Sequence, residues 1–203
     1  MQKQQSIQAV MGTEGKPALF CANLTLPPSF AGCSSCCFTG HRPVGLPCKG
    51  DERSREMDAL KHVLLEVVRQ AVDVGVTTFL TGGAEGFDTL AAEAVLAWKR
   101  FEPAIQLHLV LPNHTPAEGR APEEILRFEK IAQSADKIYY ASACSTSARA
   151  LLQRNRMLVE HADCCIAYQR KAAGGTLYTV NYAMNFGIPV LNLYKAVYES
   201  PII

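Results

Sequence analysis

From Ser34 onward the chain alternates short apolar runs with longer stretches whose apolar residues recur every three or four positions. The runs at 36–40 (CCFTG), 76–83 (VTTFLTGG), 105–112 (IQLHLVLP), 137–142 (KIYYAS), 163–168 (DCCIAY) and 188–194 (IPVLNLY) read as strands. Between the first two, residues 51–75 repeat Leu60, Val63, Leu64, Val67, Val68, Ala71 and Val72 at helical spacing, with Gly75 placed to end the helix. Asp88 stands where an N-cap would stand, and Leu90, Ala91, Ala94 and Val95 supply the buried stripe behind it. Helices are also predicted over 123–134, 146–161 and 176–186.

Strands alternating with helices imply parallel strands and crossover connections. The expected fold is α/β: a single Rossmann-like, doubly wound, mainly parallel sheet of about six strands with helices on both faces. No internal repeat is visible. Residues 1–32 differ from the rest, with glutamines, glycines and a Pro27-Pro28 pair but no sustained period. They are expected to form an extension outside the core, poorly ordered, with the domain itself spanning 33–203.

Composition narrows the function. With 48% hydrophobic and 19% charged residues, the 203-residue chain can bury a sizeable core. A net charge of +1, from 20 basic and 19 acidic residues, leaves no electrostatic footprint for a nucleic acid or an anionic membrane. A nucleic-acid partner is therefore disfavoured, and a small local basic site is not. The start of the chain is polar with no apolar signal core after it, and no apolar stretch approaches the length of a membrane span. The eight cysteines include the pairs Cys36-Cys37 and Cys164-Cys165 inside apolar runs, where cysteine behaves as a small hydrophobe. A reduced, cytoplasmic protein with free thiols is expected. Cys33 and Cys36, with His41 and Cys48 nearby, lack the second spaced pair of a structural zinc site, and Cys36 on a strand points away from Cys37. No metal is expected, and no cofactor.

In an open α/β sheet, ligands bind beyond the carboxyl ends of the strands, so the residues there carry the chemistry. Thr39, Gly40, His41 and Arg42 follow the first strand: the glycine permits an unusual turn, the arginine can fork onto a phosphate, and His41 can act as acid or base. Gly82, Gly83 and Gly86 lead into a helix, which is either a phosphate cradle or a corner. The spacing is neither that of a Walker loop nor of a dinucleotide fingerprint. Asp88 at that helix start can cap it, accept from a ribose hydroxyl or serve as an acid. Arg154, Asn155 and Arg156 sit late in a helix, either as a solvated face or with an arginine projected to the ligand edge. Gly174, Gly175 and Thr176 form a second glycine-to-helix junction. Two such junctions plus arginines favour a nucleotide-sized anion.

Taken in order, CCFTGHRP, TGGAEGFDTLAAE, RNRMLVEHADCCIAY and GGTLYTVNYA resemble the YpsA-like branch of the bacterial SLOG superfamily, which joins the Smf/DprA proteins to the LOG enzymes. The resemblance covers about residues 34–194. It implies a Rossmann-like domain that binds a nucleotide or nucleotide-derived ligand and, by analogy with LOG dimers, a homo-oligomer. LOG enzymes release a base from nucleoside 5′-monophosphates with an arginine and a glutamate, the latter in a PGG-x-GT-x-x-E motif. Here AGGTLYTVNYA keeps the glycines and Thr176 but offers Val180, Asn181 and Tyr182 where the glutamate would fall. Binding or sensing of a nucleotide is therefore the expectation, and a LOG-like phosphoribohydrolase is the alternative. For that alternative Asp88, Glu85 and His41 are the candidate catalytic residues.

Overall fold

The computed structural model describes residues 24–142 and 147–194. Six strands form one parallel sheet: β1 (Ser35–Gly40), β2 (Thr78–Thr81), β3 (Gln106–Leu111), β4 (Lys137–Tyr140), β5 (Cys164–Tyr168) and β6 (Val190–Asn192). Five helices alternate with them: α1 (Arg55–Asp73), α2 (Phe87–Lys99), α3 (Pro122–Ser134), α4 (Ala148–Glu160) and α5 (Gly175–Phe186). The strand order is β4-β3-β2-β1-β5-β6, so the chain walks outward from β1 to β4 and then returns to the far side of β1. The order reverses between β1 and β5, and Gly40 stands opposite Tyr168 there. Among the described residues no helix is long and apolar enough to cross a membrane.

That walk puts α1, α2 and α3 on one face and α4 and α5 on the other, as right-handed crossovers require. Leu64, Val67, Ala91, Val95 and Ile131 pack with Cys36, Phe38 and Phe79 in one core layer. Leu158, Val159, Val180 and Ala183 pack with Cys37, Leu80 and Cys165 in the other. Adjacent cysteines therefore face opposite layers, as strand pleating dictates. Cys36 pairs in register with Cys164, and Cys37 with Cys165.

Part of the segment 24–32 packs on the domain rather than lying outside it. Phe30 is fully buried, and Leu24 and Leu26 pack against the first layer. Gln70 of α1 fixes the segment: its Oε1 accepts from Leu26 N at 2.9 Å, and its Nε2 donates to Leu24 O at 2.8 Å. Residues 1–23 of the expected extension lie outside the described residues. At the opposite end of the sheet from the strand-end loops, Asp163 joins β5 to β1. Its Oδ2 accepts from the backbone N–H of Ser34 and Ser35, each at 2.9 Å, and from both serine hydroxyls.

Candidate functional site at the carboxyl edge of the sheet

The carboxyl ends of β2, β1 and β5 lie side by side, bringing residues of all four sequence motifs, though not Arg156, to one edge. The first glycine loop is filled by the protein itself. A Cβ on Gly82 would fall 1.3 Å from Nη1 of Arg154, one on Gly83 2.8 Å from Leu111 Cδ2, and one on Gly40 2.3 Å from the Phe87 ring. Gly86, with φ +87°, lets its backbone meet that of residues 41–43, and the N–H of Phe87 donates to His41 O at 3.1 Å. This junction is a corner, packed from both sides.

Asp88 does not cap α2. Gly86 is the N-cap and no side chain caps that end. The Asp88 carboxylate, one residue inside the helix, turns inward instead: Oδ2 accepts from Ala84 N at 3.3 Å and from Arg154 Nη1 at 3.2 Å. Both side chains are more than nine-tenths buried. Burial pushes the Asp88 carboxyl up, outweighing the lowering by Arg154, the Ala84 N–H and Arg42. The same burial lowers Arg154, opposed by Asp88. Arg154 thus sits far from a solvated helical face, and its buried Nε has no hydrogen-bond partner among the described residues.

The second glycine junction is open. Gly174, the N-cap of α5 with φ +103°, has no described residue within 4 Å of where a Cβ would stand. At Gly175 a Cβ would meet only Asn155 Nδ2, at 3.8 Å. No side chain caps this helix. Among the described residues the α5 N-terminus therefore lies exposed with no side chain on its positive dipole end, and the Asn155 amide lies beside Gly175.

His41 ties this junction to β1. Its Nε2 accepts from the backbone N–H groups of Arg170 at 2.9 Å and Lys171 at 3.2 Å. Thr176 Oγ1 donates to Gly40 O at 2.9 Å and lies 3.3 Å from His41 Nδ1. With the Thr176 proton committed to the carbonyl, Nδ1 carries the ring proton and donates to Thr176, which leaves Nε2 as the acceptor. Burial first, then the charges of Lys171 and Arg170, hold the imidazole below its usual pKa. Both ring nitrogens are engaged within the protein. Thr39 lies buried in β1 just before this turn.

Around the rim, Arg42 is half exposed and 3.6 Å from Glu85. Arg156 does not join the edge: its Nε donates to Tyr178 Oη at 2.7 Å, and its guanidinium lies over Tyr178 and Tyr182 on the outer face of α4 and α5. Three cations escaped the motif reading. Arg170 and Lys171 follow β5 directly, the same strand-end signal that singled out His41 and Arg42. Arg120, in the loop after β3, donates through Nη2 to Gly83 O at 2.8 Å and to Pro116 O at 2.9 Å, and no spacing in the sequence marks it. Together Arg42, Arg120, Arg154, Arg170 and Lys171 outnumber the nearby carboxylates Glu85, Asp88 and Glu124. Among the described residues no group of three or more His, Cys, Asp or Glu is arranged to hold a metal ion.

Known proteins share this architecture. A UPF0398 protein of Leuconostoc citreum is 24% identical over 131 residues, covering 64% of this chain and 69% of that protein. DNA processing protein A from Helicobacter pylori, known for its single-stranded DNA binding mode, superposes with a TM-score of 0.54 at 17% identity, over 89% of this chain and 77% of that one. DNA processing protein A from Streptococcus pneumoniae gives the same TM-score at 16% identity, over 84% of this chain and 56% of that one. At such identities the two structures speak for the fold alone. The YpsA family model, described as the YspA SLOG family, matches residues 36–188, from β1 to the end of α5 and the turn beyond it. The chain belongs to the YpsA family of SLOG proteins.

Proposed function

We propose that this chain binds a nucleotide-derived anion at the carboxyl edge of its sheet, with a phosphate on the N-terminal end of α5. One observation carries the reading. Neither glycine-to-helix junction carries a side-chain cap, but the one at Gly174-Gly175 is exposed with room around its glycines, while the one at Gly82–Gly86 is filled. An exposed helix N-terminus with no side-chain cap suits a phosphate. The local excess of cations supports the same sign of ligand in a chain whose net charge is only +1. Arg42 on the rim, half exposed, is placed to fork onto an anion.

A second reading, hydrolysis of a nucleoside 5′-monophosphate, draws on Asp88. It is a buried acid with a raised pKa beside an arginine, a combination frequent at catalytic sites. Against it, α5 carries no acidic residue in its first turn. One panel separates the readings: nucleoside monophosphates, ADP-ribose and a short single-stranded oligonucleotide, the last because the Helicobacter pylori protein binds such DNA. Thermal shift and free base are followed together. A shift without base release supports binding; release that Asp88→Asn abolishes replaces it with hydrolysis. A shift confined to the oligonucleotide replaces the small ligand with a nucleic acid.

A further inference from the structure

We propose that His41 is the positioning residue of the loop leading into α5, and that it holds that loop for an anionic ligand only while its imidazole is neutral. The inference rests on the reading of the α5 end as the anion site. Residues 170–175 are exposed, so few contacts fix their place. His41, buried at the end of β1, offers one lone pair to two consecutive N–H groups of this loop, those of Arg170 and Lys171. Its other nitrogen meets Thr176 in the first turn of α5. A single side chain thus spans the topological switch point and sets where the loop enters the helix.

This geometry works in one protonation state. A proton on Nε2 would face two N–H donors, and both bonds would be lost, while the Nδ1 contact to Thr176 would survive. The groups around the ring oppose a second positive charge. Arg170 and Lys171 on the loop are cations, Tyr168 from β5 meets the ring edge to face at 6.3 Å, and Thr176 of α5 is neutral. Closing the loop thus lowers the affinity of His41 for a proton. The open loop takes up a proton first as pH falls below the usual histidine value of about 6.5, so acid weakens closure and neutral pH restores it. Acidification would then release the loop that shapes the Gly174-Gly175 end, linking ligand affinity to pH through a residue that need not touch the ligand.

The test begins without ligand. Nitrogen-15 NMR of the wild-type protein is followed from pH 8 to pH 5. The expected result is an Nδ1–H tautomer for His41 and amide resonances of Arg170 and Lys171 that move together with its titration. Amides that stay fixed while His41 titrates, or an Nε2–H tautomer at pH 8, overturn the inference whatever the ligand. Affinity for ADP-ribose, whose diphosphate keeps its charge over this range, is then measured at both ends. The expected fall toward acid is about tenfold, from two lost hydrogen bonds, and His41→Gln, with an acceptor that does not titrate, is expected to flatten it. If the amides titrate but ADP-ribose binds at no pH, it is the anion reading that fails, and the pH control of binding falls with it.

Discussion

The guanidinium of Arg154 occupies the place that a side chain on Gly82 would take: a Cβ there would lie 1.3 Å from Nη1. The glycine at the end of β2 therefore makes room for an arginine brought from α4, across the face of the sheet, rather than for a ligand. Gly82→Ala must displace a buried, ion-paired side chain. It is expected to lower stability by roughly 1–3 kcal/mol, the usual cost of overpacking a tight site. Denaturant unfolding with an unchanged slope checks it.

Asp88 and Arg154 are each the other's compensation. Removing either leaves a buried charge, so Asp88→Ala and Arg154→Met are each expected to cost roughly 3–5 kcal/mol. The double variant Asp88→Ala with Arg154→Met is expected to cost less than the sum of the two. Additive losses in a double-mutant cycle would show that the pair is not coupled.

How far the sequence carried the fold is clearest at the strands and helices, whose hydrophobic periods are local. The run CCFTG became β1 and the Leu60–Ala71 pattern became α1 because each element's buried stripe is written within it. The site was less legible. TGGAEG and GGT look alike as strings, and what separates them is Arg154, Leu111 and Phe128 arriving from elsewhere in the chain to fill one and not the other. Asp88 was misplaced as a cap for the same reason: its partner is 66 residues away. Phe30, buried in a segment too short to show any period, could not be read as core.

Part of the acid sensitivity should come from the far end of the sheet. Burial raises the Asp163 carboxyl, but the hydrogen bonds from Ser34 and Ser35 outweigh it, and the net shift is downward. A lowered folded pKa contributes stability above the unfolded value of about 3.9 that is lost as pH falls through the folded one. Wild-type stability is thus expected to drop below about pH 4, and Asp163→Asn to be less stable at pH 7 with a flatter acid limb. Ligand binding at the opposite edge should be unchanged. Chemical denaturation across pH 3 to 7 tests this.

The thiols offer a check on the packing. Cys48 is exposed, whereas Cys33, Cys36, Cys37, Cys164 and Cys165 are buried. Burial pushes Cys33 up to about 11, with Cys164 and Asp163 adding to the shift, so its reactive thiolate is scarce at neutral pH. Of the six cysteines among the described residues, a thiol reagent read by mass spectrometry is expected to modify Cys48 within the folded protein and the buried five only on unfolding. Rapid labelling of Cys36 or Cys164 would contradict the close packing of β1 against β5.

The open end of α5 is the centre of the account, and Gly175→Asp addresses it most directly. The backbone there leaves room for a side chain, and a carboxylate in the first turn favours the helix dipole, so the fold should hold or gain slightly. The same carboxylate would take the place of a phosphate. Calorimetric titration of whichever nucleotide stabilises the wild-type protein is predicted to show binding abolished by Gly175→Asp at undiminished melting temperature. Binding of equal affinity in the wild type and in Gly175→Asp would place the ligand elsewhere and contradict the account.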